Sequence, residues 1–181
     1  MTMDTRNMAE MRTRSAYHET GHLITALLLN FPFLKNKVAA ELYIGKKPRT
    51  NTKKFVYNKM TIIQKCLCYI VLFAGEEIEK LNYKDDAFRD GLKCDDKDIK
   101  KCDIALKLEI KDIEKIKILC KKICKEILEN RVEEINKIVF KLDYFNEITL
   151  LESKIVLNIT DTYDFKEKSK AEMLISECIE G

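Results

Sequence analysis

The run Thr13-Arg14-Ser15-Ala16-Tyr17-His18-Glu19-Thr20-Gly21-His22-Leu23-Ile24-Thr25-Ala26-Leu27-Leu28-Leu29 decides how this chain is read. His18 and His22 stand four apart and are the only histidines of the protein. On a helix, two such positions share one face, a single turn apart. Both imidazoles can then reach one tetrahedral ion at about 2.0–2.1 Å. Glu19 follows the first histidine, so it lies beside that ion without having to ligate it. There it can take a proton from water and pass it to a leaving amine. Zinc suits such a donor set and lowers the pKa of bound water towards roughly 7. The apolar continuation through Leu23, Ile24, Ala26, Leu27 and Leu28 would bury the back wall of the site. The bland alternative is a pair of incidental histidines on an amphipathic helix.

This first helix is predicted to begin near Thr13 to Ser15 and to run through Leu29, with Pro32 stopping it. Downstream the period changes. Val38, Leu42, Ile44, Phe55 and Val56 are scattered among Gly45, Pro48 and Asn51, which predicts short strands between about residues 38 and 57. A second helix is expected over about Lys59 to Leu81. Its stretch from Met60 to Gly75 is apolar but shorter than the roughly 20 residues of a membrane span, and Lys65 interrupts it. It reads as a buried helix. Residues 82 to 94, with Asp85, Asp86, Asp90 and Gly91, read as a connecting loop. Apolar positions at helical spacing, Ile99, Cys102, Leu106 and Ile110 and then Ile116, Leu119, Ile123 and Ile127, predict helix from about Asp95 to Leu142, with a break near Asn130. Thr149 and Glu152 form a capping-box pattern ahead of Ile155 to Ile159.

The expected layout is therefore a loose leader over residues 1–13, one domain over 14–160 and a charged helical extension over 161–181. The fold class is mainly α with a small β element. A coiled-coil module over 95–142 is the rival reading, but its apolar positions keep no clean heptad.

The 33 basic residues nearly balance the 30 acidic ones. A net charge of +3 makes no field for a polyanion, so nucleic acid is not the expected partner. Seven cysteines, an odd number, with no apolar leader at the start of the chain, argue for a reducing, cytoplasmic compartment rather than a disulfide framework. Cys120 and Cys124 have metal-like spacing but no matching second pair, so they read as buried thiols. The two histidines consequently need a third ligand from among the carboxylates or thiolates.

The run Ser15-Ala16-Tyr17-His18-Glu19-Thr20-Gly21-His22-Leu23 resembles the signature of the FtsH family of zinc proteases, in which Ala-Tyr-His-Glu-Ala-Gly-His is typical and only Thr20 differs. Two further blocks are similar to that family: Ala74-Gly75-Glu76-Glu77-Ile78-Glu79-Lys80-Leu81, at the end of the helix behind the site, and Gly91-Leu92-Lys93-Cys94-Asp95. The resemblance spans roughly residues 12 to 110. It implies a zincin-like peptidase domain, a Zn2+ cofactor held by His18, His22 and Asp95, and Glu19 as general base. Asp95 also heads the apolar stripe of Ile99, Cys102 and Leu106. Asp98 and then Glu79 are the other candidates for third ligand, while Asp95 and Asp96 could simply cap a helix.

Family members carry an ATP-driven unfoldase domain and usually membrane anchors. No Walker-type loop is found here, so the expected activity is ATP-independent in itself, with no membrane insertion. Expected partners are a polypeptide substrate and, following the family's ring hexamers, either further copies of the chain or a separate unfoldase. The reading is a zinc metalloendopeptidase. Its alternative is a non-catalytic metal-binding or interaction module acting through the long C-terminal helices.

Overall fold

A computed structural model describes residues 5–32, 38–42, 48–52, 56–83 and 89–181. In chain order the elements are α1 (Thr5–Leu28), β1 (Val38–Glu41), β2 (Arg49–Thr50), a 3-10 turn (Tyr57–Lys59), α2 (Ile62–Asn82), α3 (Arg89–Leu106), α4 (Ile113–Glu129), α5 (Val132–Phe145), β3 (Glu147–Thr149), α6 (Leu150–Val156) and α7 (Lys166–Glu180). The protein is mainly helical with a small antiparallel sheet in the strand order β2-β1-β3. The expected fold class is thus observed. Of the sequence-predicted strand residues, Ile44 and Phe55 lie outside the described residues, as do Asp85 and Asp86 of the predicted loop.

α2 is the centre of the molecule. Thr61 caps it with a reciprocal capping box to Gln64, and from Lys65 to Gly75 every residue is buried. A helix apolar on all sides must be covered on all sides. α1, α3, α4 and α7 supply that cover. α4 presents Ile116, Cys120, Ile123, Cys124 and Ile127 at helical spacing. Its apolar stripe faces α2 within the domain, which disposes of the coiled-coil reading. Cys120 and Cys124 are fully buried thiols, as their isolation in the sequence suggested. Among the described residues, no helix is long and apolar enough to cross a membrane.

α1 and α2 cross at a pair of glycines. A Cβ on Gly21 would lie 2.8 Å from the carbonyl carbon of Ala74 and 2.9 Å from Ile78 Cγ2. Only hydrogen fits there. Glycine within a helix costs about 1 kcal/mol relative to alanine, and here the close approach of the two backbones requires it.

Several boundaries differ from the sequence reading. α1 begins at Thr5 rather than near Thr13. Its Arg12 donates to Asp143 Oδ1 at 2.9 Å, to the Asp143 carbonyl at 2.6 Å and to Asn146 Oδ1 at 2.8 Å. The guanidinium thereby satisfies the open C-terminal end of α5, which closes on Asn146 in the left-handed conformation. Hydrophobic periodicity carries no trace of a bond between residues 131 positions apart. α3 starts at Arg89, so Asp90 and Gly91 are helical rather than in a loop. The long helical stretch is interrupted twice. One break, at Asn130, was anticipated; the other, between Leu106 and Ile113, is a turn ended by Asp112, which caps α4 through the Lys115 amide. β3 was not anticipated: its three residues precede the Thr149–Glu152 capping box, which forms as predicted. At the C-terminal end, α7 buries Ala171 and Ile175 in the common core.

Candidate metal centre

His18 and His22 point from α1 towards α2, and both are nearly buried. The path of each ring is fixed by its Nδ1. His18 Nδ1 donates to Glu79 Oε1 at 2.7 Å, and His22 Nδ1 donates to the Val71 carbonyl at 2.7 Å. Both acceptors are on α2, which places the Nδ1 protons and leaves the Nε2 atoms to face each other at 3.1 Å. Gly75 makes room for this. A Cβ at that position would lie 2.5 Å from His18 Nε2 and 2.6 Å from His18 Nδ1.

Asp95, near the start of α3, closes the set. Its Oδ2 lies 3.0 Å from His18 Nε2 and 3.3 Å from His22 Nε2. Among the described residues, His18, His22 and Asp95 are the one group of three possible donors whose ligand atoms fall within 4.8 Å of one another. With both Nδ1 atoms protonated, the two neutral imidazoles turn lone pairs towards a carboxylate oxygen. Three such electron-rich atoms converge in a buried place only around a positive charge. A divalent cation fits this donor set of two imidazoles and a carboxylate.

In the metal-free protein a proton takes that role. Burial disfavours a charged His18, but its hydrogen bonds to Asp95 and Glu79 outweigh this and push it up to about 10. His22 is likewise raised: burial opposes its charge, and Asp95 overrides that. Asp95, although burial works against its ionised form, is held well below the usual carboxylate range by His22 and His18.

Glu19 stands apart from the ligand set. It is buried, and its Oε2 accepts a hydrogen bond from Thr50 Oγ1 at 2.8 Å. Burial raises its pKa despite the nearby histidines, the direction that suits a base operating near neutral pH.

The other candidates for third ligand fall elsewhere. Asp98 pairs with Lys101 at 2.5 Å, and its carbonyl accepts the Tyr57 hydroxyl. Glu79 is buried against the far nitrogen of His18, where a carboxylate orients a ligating imidazole rather than replacing it. The contact of Glu79 with His18 Nδ1, and the partnership of Thr50 with Glu19, were missed in the sequence. Thr50 could not have been found there, because it approaches α1 only through the sheet. Thr20 leaves a fully buried hydroxyl with no hydrogen-bond partner among the described residues. The thiols form no second centre among the described residues, and burial pushes Cys66 and Cys102 up to about 12, far from the thiolate form that binds metals.

No protein-family model matches the sequence, and no curated protein matches it.

Proposed function

We propose that the protein is a zinc-dependent endopeptidase of the FtsH type, cleaving peptide bonds without ATP. The observation that carries this reading is the convergence of His18 Nε2, His22 Nε2 and Asp95 Oδ2 with a fourth ionisable group, Glu19, held beside them but outside the set. A purely structural site has no use for that extra carboxylate. When bound, zinc polarises the scissile carbonyl and acidifies water. Glu19 then takes the proton of the attacking water and hands it to the amine nitrogen as the C–N bond breaks. Glu79 and the Val71 carbonyl keep both imidazoles in the ligating tautomer.

Among the described residues β2 lies at one edge of the sheet, and it reaches Glu19 through Thr50. An extended polypeptide could add to that edge and lie across the site, which makes accessible, unfolded segments the substrate class. The remaining parts of the proposal are a cytoplasmic setting and either self-assembly or a separate unfoldase that delivers substrate. Neither nucleic acid nor membrane insertion enters it.

Metal analysis combined with labelled casein tests the reading. Purified protein is expected to hold about one zinc per chain and to cleave casein, to stop when a chelator strips the metal and to resume on zinc addition. A metal-loaded protein that leaves casein intact under all these conditions would reduce the proposal to the binding-module alternative.

The charge balance of the site gives a second expectation. His18 titrates near 10 in the metal-free protein, and its Nε2 must be unprotonated to ligate. Zinc uptake at any pH below that value therefore expels a proton, and affinity rises with pH through this range. Calorimetric titration at neutral pH in buffers of differing ionisation enthalpy is expected to register release of at least about one proton per zinc. Zinc binding with no buffer dependence would mean that His18 is already neutral and the site preformed.

A further inference from the structure

Thr50 has the wrong chemistry to ligate a metal, yet its hydroxyl is placed with unusual economy. Oγ1 lies 2.8 Å from Glu19 Oε2 and 3.0 Å from the main-chain oxygen of the same residue. One hydroxyl, sharing its proton between these two acceptors, fixes the carboxylate relative to its own backbone. A glutamate side chain has three rotatable bonds, and freezing them from outside requires a partner that knows where the backbone is. Among the described residues only Oε2 is used, so Oε1 keeps a lone pair for the proton it must accept.

The main chain of the same residue faces the other way. Thr50 stands opposite Ala40, and the Asn51 amide just beyond β2 donates to the Ala39 carbonyl at 2.7 Å, which makes Thr50 and Ala40 a non-hydrogen-bonded pair. Alternation along an antiparallel strand then turns the N–H and C=O of Thr50 away from β1, towards the edge, where the C=O accepts the Thr52 amide at 3.0 Å. A peptide strand pairing there would therefore meet the main-chain N–H of the residue whose side chain holds Glu19.

We propose that Thr50 is a positioning residue that locks the Glu19 carboxylate in its working rotamer and ties it to the strand edge on which substrate lies. The proposal rests on the peptidase reading above and adds to it a residue outside the metal-binding motif.

The test compares T50V, which keeps the shape and loses the hydroxyl, with T50S, which keeps the hydroxyl. Both are made in the full chain loaded with zinc and assayed on fluorescein-labelled casein. T50V is expected to lower kcat by about tenfold or more, with KM changed less than about twofold. T50S restores most of kcat. Zinc content stays at the wild-type value in both, and T50S keeps the wild-type thermal midpoint. A wild-type kcat in T50V, equal losses in T50V and T50S, or loss of zinc from T50V would each overturn the assignment. Wild-type protein that cleaves no casein would instead overturn the peptidase reading, and with it the role of Thr50, before any substitution is compared. A cycle free of activity completes the test. T50V is expected to lower the urea midpoint more in the Glu19 protein than in an E19A background, and equal shifts would show that the hydroxyl does not hold the carboxylate.

Discussion

Glu19→Gln is expected to bind zinc as the wild-type protein does and to lose casein cleavage by at least about a hundredfold, the lower end of what a general base contributes. Glutamine has the same length and shape, and its amide oxygen can still accept from Thr50 Oγ1. The three converging ligand atoms belong to other residues, so the cation site is untouched. What the amide lacks is basicity. Without it, no group placed at the site among the described residues would take the proton from water: His18, His22 and Asp95 would give their lone pairs to the cation, and Glu79 lies behind His18, against Nδ1 rather than at the Nε2 face. Zinc content by mass spectrometry, read beside the casein assay, checks both halves of the expectation. Persistent proteolysis by this variant would remove Glu19 from the mechanism.

Gly75→Ala is the second large effect, and it acts from α2 without touching a ligand's chemistry. The added methyl group would stand 2.5 Å from His18 Nε2, well inside contact distance, so the ring has to move. The ring cannot retreat along α1, because a turn away Gly21 already holds that helix against Ala74 and Ile78. Swinging aside breaks the bond from Nδ1 to Glu79, which sets the tautomer. Loss of such an orienting partner alone typically costs 10- to 100-fold in metal affinity, and here the ligating atom itself is displaced. The variant is therefore expected to bind zinc at least about a hundredfold more weakly, measured by competition with a chromophoric chelator. Helix content should survive, since alanine favours helix over glycine by about 1 kcal/mol. Wild-type affinity in a folded Gly75→Ala protein would show that the ring sits elsewhere when the metal is bound.

Both variants probe a site whose halves were unequally legible. His18, Glu19 and His22 lie within one helical turn, and helical periodicity places them relative to one another before any fold is known. The buried character of α2 was equally plain, because a mostly apolar run of that length, interrupted near its start by Lys65, has to be covered. Asp95 was legible in a weaker sense: it heads the stripe that Cys102 and Leu106 bury, but the stripe could not say what it would meet. Glu79 was read as a rival ligand because its residue type fits that role, and only its position behind Nδ1 of His18 separates orienting from ligating.

By itself, then, the sequence determined what is local: which segments are helical, which faces are apolar, and that two imidazoles and a carboxylate share one turn of α1. Local periodicity suffices there because neighbours on a helix are set by backbone geometry alone. The tertiary structure decided whatever depends on contacts between distant segments. It brought Asp95 across to α1, put Glu79 and the Val71 carbonyl behind the rings, cleared space with Gly75, and led Thr50 to Glu19 through a strand of two residues. Those contacts are chosen by how the helices pack, and no spacing along the chain encodes the packing.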